Sequence, residues 1–223
     1  MHDKYTNPFL SCLSSEERQV FDSHSRVAFY KAGSSIIERE ANDTSVYFVL
    51  SGSVNVLNYS QTGRAITYSS IGEGDIFGEM ASIDCAPRAA WVFAATDCRA
   101  LKIPGDIFIK LAEFNHKFSL ALLKKISANL RAANERIIDI FSLDAEQRTC
   151  IELVRMAKPD PLQPEYYLVK HMPTQANFAT LIGSSRETVS RIMSRLRNES
   201  IITISTRGLQ ILDKKQLEKR AFG

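Results

Sequence analysis

The sequence predicts an α+β fold in which short β-strands are followed by a long helix and a second helical region. Residues 27–103 hold short β-like runs separated by glycines, and residues 108–141 carry apolar side chains at helical spacing. Residues 174–196 read as two short helices joined at Gly183. Strands of this length and spacing are typical of a sandwich or jelly roll, and the final pattern is typical of a helix-turn-helix. At 223 residues the chain can form one large domain or two modest ones.

The charge of the chain is unevenly distributed although its net value is only +3. From Lys170 to the end there are ten Lys/Arg against four Asp/Glu, so this part carries +6 and the remainder −3. A basic C-terminal third indicates a nucleic-acid-binding module. No stretch approaches the roughly 18 uninterrupted apolar residues of a membrane helix, and the N-terminus lacks the pattern of a signal peptide. We therefore expect a cytoplasmic protein without membrane contact.

Cysteine and histidine usage argues against a metal site. The four cysteines are scattered without metal-ligand or cluster spacing, and a cytoplasmic chain keeps such thiols reduced. A jelly roll could belong to a cupin-like metalloenzyme, which needs histidines and a carboxylate converging inside the barrel. None of the histidines falls in a predicted strand, so we expect neither a metal nor an enzyme. The cysteines are Cys12, Cys85, Cys98 and Cys150, and the histidines are His2, His24, His116 and His171.

The N-terminal region is predicted to begin with a helical lead-in over residues 1–25, in which the stretch Ser14-Ser15-Glu16-Glu17 offers residues that can cap a helix. The strands predicted after it are 27–30, 35–37, 46–50, 53–59, 65–69, 91–95 and 99–103. Turns between them are predicted at Gly33, Gly52, Gly63, Gly72 and Gly74.

Residues 77–92, Phe-Gly-Glu-Met-Ala-Ser-Ile-Asp-Cys-Ala-Pro-Arg-Ala-Ala-Trp-Val, form the motif that indicates a ligand. Gly78 lets backbone approach a ligand closely, and Glu79 can accept hydrogen bonds from a pair of sugar hydroxyls. A helical turn over 81–83 follows. The planar guanidinium of Arg88 suits a phosphate, and the small side chains of Ala89 and Ala90 leave their N–H groups accessible to it.

This stretch resembles the phosphate-binding cassette of the cyclic-nucleotide-binding domain. The resemblance implies that Gly78 and Glu79 meet the ribose, with Met80 beside them. It also implies that Arg88, with Ala89 and Ala90, meets the cyclic phosphate. The stretches 46–57 and 72–78 resemble the same domain. The alternative is a loop in which Glu79 and Arg88 pair only with each other, an arrangement that contributes about 0–1 kcal/mol on a surface.

The helical region carries an apolar seam with alternating three- and four-residue steps, which predicts a parallel coiled-coil dimer. The alternative is an amphipathic helix packed on its own β-domain. In the family this helix dimerises and also closes the nucleotide pocket. The two base-contacting positions, often Thr-Ser in the bacterial cyclic-AMP receptor, are Ala133 and Asn134 here. Asn134 can still donate and accept, and Arg-Ala-Ala resembles cyclic-AMP sites more than Arg-Thr-Ala, so the expected effector is cyclic AMP. The seam consists of Leu123, Ile126, Leu130, Ala133, Ile137 and Ile140.

The C-terminal region is predicted to begin with a hinge at 142–144, followed by a helix over 145–158 that Asp144 and Gln147 cap. Prolines within 158–164 stop that helix, and a short strand over 166–169 leads to the final motif.

The final motif places basic side chains on one exposed helix face. Thr174 is predicted to cap a helix over 175–182, and Ser184 to cap a second helix in a box with Glu187. On that second helix Arg186, Glu187, Ser190 and Arg191 share a face of about 140°. Arginine can pair with guanine and glutamate can accept from cytosine in the major groove. A solvated charged face is the alternative for these side chains.

Residues 185–191, Ser-Arg-Glu-Thr-Val-Ser-Arg, resemble the recognition helix of the cyclic-AMP receptor and fumarate–nitrate regulator superfamily. The resemblance, which spans about residues 9–213, implies base contacts by Arg186, Glu187 and Arg191. It also implies a β-wing at 201–212. The residues that it assigns to phosphate contacts are Thr174, Gln175, Ser185 and Thr188.

The expected protein is a homodimeric transcription regulator. It is expected to bind palindromic DNA with half-sites of the TGTGA kind and to contact RNA polymerase. The expected domains are a cyclic-nucleotide-binding β-roll at 1–112, a dimerisation helix and hinge at 113–142, and a winged helix-turn-helix at 143–223. The alternatives are a regulator with a vestigial pocket and a haem sensor.

Overall fold

The computed structural model describes residues 7–61, 63 and 65–222, and its elements confirm the predicted α+β fold. The chain divides into two units, Met1–Arg131 and Ala132–Gly223, and each is described by itself. The first six residues of the predicted lead-in, with His2, lie outside the described residues.

The first unit is built from two four-stranded antiparallel sheets and the helices that cover one of them. The strand orders are β1-β8-β3-β6 and β2-β7-β4-β5. The strands are β1 Arg26–Tyr30, β2 Ser35–Ile37, β3 Val46–Ser51, β4 Ser53–Tyr59, β5 Ala65–Gly72, β6 Ile76–Phe77, β7 Trp91–Ala94 and β8 Cys98–Ile103. The helices are α1 Ser15–His24, the short α2 Glu79–Ile83, α3 Gly105–Phe114 and the first part of α4 His116–Ser142.

The alternating directions of the side chains along β3 explain how one sheet contributes to two apolar clusters. Tyr47 and Val49 belong to the cluster between the two sheets. Val46 and Phe48 face the other way and pack with helix residues that include Phe21 of α1. Successive side chains of a strand point to opposite faces, so a strand with apolar residues at four consecutive positions is buried on both sides.

Each of the seven predicted strands is present, with ends that differ by at most three residues. Gly72 was expected in a turn, but it is the last residue of β5. The predicted helical turn at 81–83 is present within α2, which begins at Glu79. Strand β6 was not predicted, because two residues are too few to show a period.

The helical region that follows the sheets consists of two helices separated at Asn115. The Asn115 Oδ1 accepts a hydrogen bond from the Phe118 N–H at 2.9 Å. Its Nδ2 donates to the Cys12 carbonyl at 3.0 Å and to Glu17 at 2.7 Å. Asn115 therefore caps the start of α4 and joins it to the N-terminal helix. The cap predicted within residues 14–17 is present as a capping box between Ser14 and Glu17.

The second unit contains the end of α4, four further helices and one antiparallel sheet in the order β11-β12-β10-β9. Its apolar core includes Leu153, Phe178, Val189 and Leu196. The elements after α4 are α5 Ala145–Met156, β9 Lys158–Pro159, β10 Tyr167–Val169, α6 Gln175–Leu181, α7 Arg186–Asn198, β11 Ile202–Ser205, β12 Gly208–Ile211 and α8 Lys214–Phe222.

The break predicted at 142–144 is present, since α4 ends at Ser142 and α5 begins at Ala145. The Asp144–Gln147 capping box is confirmed, with both hydrogen bonds present at 2.9 and 3.1 Å. Helix α5 ends at Met156, two residues before the predicted end. Strand β9 and helix α8 were not predicted.

Candidate ligand-binding and nucleic-acid-binding sites

Gly78 shapes the first site by leaving room for an arginine. Its φ is +82°, a conformation that L side chains rarely adopt. A Cβ at this position would lie 2.9 Å from Arg88 Nη1 and 3.0 Å from the Ser45 carbonyl oxygen. A side chain at position 78 would displace the guanidinium, so the position of Arg88 depends on the glycine at position 78.

Arg88 is the buried cation of this site, with only 3% of its side chain exposed. Its Nη1 donates to the Gly78 carbonyl at 2.7 Å. Its Nη2 donates to the Ser45 carbonyl at 2.7 Å and to Asp43 Oδ2 at 2.9 Å. Its Nε is buried and has no hydrogen-bond partner among the described residues. A buried cationic donor without an acceptor is costly, and an anionic oxygen would satisfy it.

The carboxylate paired with Arg88 is that of Asp43, so the alternative in which Glu79 and Arg88 pair only with each other is wrong. Sequence reasoning missed Asp43 and Ser45. Both lie more than 40 residues before Arg88, and no local pattern connects them with the motif.

Glu79 lies at the first position of α2 in an electrostatically mixed environment. Burial raises the pKa of its carboxyl above the ordinary value, and the neighbouring carboxylate of Asp75 adds to the rise. Its own backbone N–H and the cations Lys125 and Arg88 oppose it. Lys125, on α4, is itself paired with Asp75. The pKa of Glu79 therefore depends on the balance between burial and the nearby cations. Sequence reasoning did not identify Lys125 as a neighbour of Glu79.

The other predicted ligand residues are placed as follows. Met80 is 55% exposed beside Glu79. Ala89 is exposed and Ala90 half-buried, immediately after Arg88. Ala133 and Asn134 are exposed on the part of α4 that belongs to the second unit, and the contact of Asn134 with a base stays a prediction.

The helix-turn-helix of the second unit is made by α6 and α7. Thr174 caps α6 as predicted, accepting a hydrogen bond from the Asn177 N–H at 3.3 Å. Gly183 has a φ of +63°, and its N–H donates to the Thr180 carbonyl, while the Ser184 N–H donates to the Ala179 carbonyl. This pair of bonds is the Schellman motif that ends many helices at a glycine.

The predicted cap of α7 by Ser184, in a box with Glu187, is wrong. The backbone N–H of Ser184 belongs to the Schellman motif, and the N-cap is Ser185, whose backbone is extended. Ser185 accepts from the Thr188 N–H at 3.1 Å, and its hydroxyl also bonds the Thr188 hydroxyl at 3.0 Å. Thr188 is therefore the third helical residue, and Glu187 is the second.

Helix α7 buries one face and exposes a basic one. Val189, Ile192, Met193 and Leu196 are buried, as predicted. The other predicted contact residues, which are on this helix and at the start of α6, are all exposed or half-buried. Neither Arg186 nor Arg191 has an ion-pair partner among residues 7–61, 63 and 65–222, whereas Arg195, on the same helix, is paired with Glu146. The exposed or half-buried set is Thr174, Gln175, Ser185, Arg186, Glu187, Thr188 and Arg191.

The predicted wing is the β11–β12 hairpin, and a polar cluster fixes its turn. Arg207 donates to Asp160 at 2.8 Å. Asp160 is almost fully buried and also accepts from Gln210 at 3.3 Å. The hydrogen bond from Arg207 lowers the pKa of Asp160 below its ordinary value. Arg207 thus anchors the hairpin to the loop after α5, a role that the sequence did not reveal.

The end of α4 is joined to the helix-turn-helix by Arg148. Its Nε donates to the Ile182 carbonyl at 2.8 Å, and its Nη1 donates to the Leu143 carbonyl. Ion pairs of Arg136 with Glu152 at 2.8 Å and of Asp139 with Arg155 at 2.6 Å hold α4 and α5 together. Within the second unit, arginine side chains therefore form hydrogen bonds and ion pairs across the break at 142–144.

Two other kinds of site are absent from the described part of the chain. No helix there has the length and apolar character required to cross a membrane. No group of three metal-ligating side chains there is arranged to hold an ion.

A β-roll followed by a long helix and a basic helix-turn-helix is the architecture of a DNA-binding regulator. The family models agree, since residues 27–115 match the cyclic nucleotide-binding domain and residues 147–220 match the Crp-like helix-turn-helix domain. The chain belongs to the cyclic-AMP receptor protein/fumarate–nitrate regulator superfamily of bacterial transcription regulators.

The similarity to individual relatives and solved structures extends over most of this chain and most of theirs. The chain is 28% identical over 186 residues to the cAMP-activated global transcriptional regulator CRP of Salmonella typhimurium, covering 82% of this chain and 88% of that protein. The structure of FixK2 from Bradyrhizobium japonicum has a TM-score of 0.74 at 19% identity, over 89% of this chain and 98% of that one. The c-di-GMP responsive global regulator CLP of Xanthomonas campestris has a TM-score of 0.69 at 19% identity, over 89% and 99%. The two structures show the shared fold.

Proposed function

We propose that this chain is a homodimeric, sequence-specific transcription regulator whose DNA binding is controlled by a cyclic nucleotide, with cyclic AMP as the first candidate. The observation that carries the proposal is Arg88, a buried guanidinium whose Nε–H has no acceptor among the described residues. A cyclic phosphate would supply that acceptor. In this proposal the N–H groups of Ala89 and Ala90 assist Arg88.

The remaining ligand contacts follow from the placement of the side chains. Glu79 would accept from ribose hydroxyls, next to the open backbone of Gly78. Met80, which is exposed, would cover the ligand, and Asn134 would meet the base. Cyclic AMP is supported by the relative that is named as cAMP-activated. A regulator that responds to another effector or to none is the second candidate, because the CLP relative is named as c-di-GMP responsive.

The DNA contacts are proposed for the exposed face of α7 and for the caps at the helix starts. Arg186, Glu187 and Arg191 would read bases in a TGTGA-type half-site. The polar groups at the helix starts, Thr174, Gln175, Ser185 and Thr188, would hold phosphates. Two such helices in a dimer would enter successive major grooves about 34 Å apart. We propose the cytoplasm as the site of action and RNA polymerase as a partner.

The domain organisation proposed for this mechanism has three parts. Residues 1–112 would be the nucleotide-binding β-roll, and 113–142 the dimerisation helix and hinge. Residues 143–223 would be the winged helix-turn-helix. Nucleotide binding would re-seat the long helices of the dimer, and the hinge would then reorient both DNA-reading helices.

The first test is calorimetric titration of the purified protein with cyclic AMP and, separately, cyclic GMP. We expect saturable binding of cyclic AMP to the wild type and binding weaker by at least about tenfold in Arg88→Lys, because lysine keeps the charge but not the planar set of donors. Arg39→Lys, at an exposed arginine of the same unit, is the matched control and should bind as the wild type does.

A second measurement separates the two halves of the proposal. Fluorescence anisotropy with a TGTGA palindrome should show tighter binding when cyclic AMP is present. Tight, specific DNA binding that neither nucleotide changes would reject the effector while retaining the regulator. Equal affinity for all DNA sequences would reject specific reading.

A further inference from the structure

A side chain from a neighbouring strand reaches the proposed phosphate loop. Asn58 Nδ2 donates a hydrogen bond to the Ala89 carbonyl oxygen at 3.2 Å, across 31 residues of sequence. Strand register explains this contact, because β4 pairs with β7 and Leu57 lies opposite Trp91. Asn58, the next residue of β4, is thereby brought beside the residues that precede β7.

This hydrogen bond fixes the orientation of one peptide unit. The described chain contains no cis peptide bond, and a trans peptide is planar, with its C=O and N–H pointing in opposite directions. Holding the Ala89 carbonyl toward β4 therefore directs the Ala90 N–H away from β4. The peptide joins the two residues whose N–H groups are proposed to assist Arg88.

The other end of the Asn58 amide is unsatisfied. Only its NH₂ group can donate to a carbonyl, so the contact with Ala89 determines which end is the oxygen. That Oδ1 is buried and has no partner among the residues that the structure describes. Arg88 Nε, on the residue before Ala89, is a buried donor in the same condition. Of these two groups, the Arg88 Nε–H is the one that a phosphate oxygen can satisfy, because a phosphate offers only acceptors.

We infer that Asn58 is a positioning residue of the nucleotide site: its Nδ2 orients the Ala89–Ala90 peptide so that the Ala90 N–H can donate to the phosphate. The inference rests on the proposed function and adds to it a residue outside the motif. The orientation of one peptide N–H should favour one of the two exocyclic phosphate oxygens over the other.

The test uses cyclic AMP and its two phosphorothioate diastereomers, in which sulfur replaces one or the other exocyclic oxygen. The variant is Asn58→Leu, which is close in size and removes the hydrogen bond to the Ala89 carbonyl. The matched control is Asn55→Leu on the same strand. Asn55 is also buried with an unpartnered Oδ1, and it lies opposite Ser70 and Phe93 rather than beside Ala89. Affinities are measured by calorimetry and folding by thermal melting.

We expect Asn58→Leu to weaken cyclic AMP binding about tenfold, because a misoriented Ala90 N–H loses its hydrogen bond to the charged phosphate. The affinity ratio of the two diastereomers should move toward one. Asn55→Leu should keep both the affinity and the ratio. A general packing defect would weaken all three ligands in proportion and leave the ratio unchanged.

Three results would overturn the inference. They are an unchanged ratio in Asn58→Leu, the same loss in Asn55→Leu, and a wild-type protein that does not distinguish the diastereomers. If Asn58→Leu does not fold, Asn58→Ser is measured in the same way. A wild-type protein that binds neither cyclic nucleotide would reject the proposed function and this inference together, and failure of the variant test alone would leave the proposed function intact.

Discussion

At the scale of single residues, the proposed ligand site contains charged groups that are buried, which is unfavourable unless they are compensated. Arg88 is almost fully buried, and its guanidinium depends on Asp43 and two carbonyls for compensation. Burial raises the pKa of Glu79, and Lys125 opposes the rise. Groups of this kind are common at functional sites, because an arrangement that suits a ligand is rarely the most stable one without it.

Replacing Glu79 by glutamine tests this trade-off through its pH dependence. Since the pKa of Glu79 in the folded protein is raised above 4.5, its contribution to stability is present below that pH and is lost as the pH rises through the folded value. Above the folded pKa the carboxylate is ionised and this contribution is absent, so Glu79→Gln should melt at a higher temperature than the wild type there. The difference should shrink as the pH falls toward 4.5.

The same variant should bind cyclic AMP about 10- to 100-fold more weakly, because it loses a hydrogen bond to a charged acceptor. Glu73→Gln, at an exposed glutamate of the same unit, is the control and should leave binding unchanged. Thermal melts at several pH values and calorimetry are the measurements. A Glu79→Gln protein that binds normally would remove Glu79 from the site.

The motif residues could be predicted from sequence because their spacing is local. Gly78, Glu79 and Arg88 lie within eleven consecutive residues. Asp43 and Asn58 could not be predicted, since they reach the site only through the pairing of strands. Their positions depend on sheet register, which neither composition nor spacing specifies.

At the scale of elements, helix ends decided where sequence reasoning succeeded. Caps were predicted correctly where one polar residue preceded the helix, as at Asp144 and Thr174. The prediction was wrong at Ser184, where two serines are adjacent and both can cap. The backbone N–H of Ser184 is bonded in the Schellman motif that ends α6, and Ser185 caps α7. The start of α7 therefore depends on how α6 ends.

The position of α7 leads to a prediction for its first arginine. Arg186→Ala should weaken binding to a cognate site by about 1–3 kcal/mol and reduce discrimination at one base pair, as loss of a bidentate base contact does. Arg197→Ala removes an exposed arginine from the last turn of the same helix and serves as the matched control. Its effect should be similar on every sequence.

The measurement is anisotropy with the cognate palindrome and with duplexes altered at one base pair of each half-site. If Arg186→Ala weakens binding to all duplexes equally, Arg186 contacts phosphate and not a base. The salt dependence of binding then provides an independent check, because losing one phosphate contact lowers the salt slope by about one.

At the scale of the whole molecule, the long helix α4 leaves apolar residues uncovered along the predicted seam. Phe118 and Leu122 are buried against the first unit, as the alternative of an amphipathic helix packed on its own domain requires. Farther along, Leu123, Leu130 and Ile137 are 60%, 62% and 54% exposed. Burying one such side chain stabilises by about 1.5–3 kcal/mol, so a partner helix has several contacts of this size to gain.

Leu130→Arg tests the seam with a charge at its centre. A buried, unpaired guanidinium is strongly unfavourable, so the variant should be monomeric at a micromolar concentration at which we expect the wild type to be dimeric. Light scattering measures both. Ser127→Arg adds the same charge at an exposed position outside the seam, and it should remain dimeric. Binding to a palindrome needs both DNA-reading helices, so Leu130→Arg should also lose affinity for two half-sites while keeping weak binding to one. A monomeric wild type, or a dimer that tolerates Leu130→Arg, would show that the exposed seam is not the dimer contact.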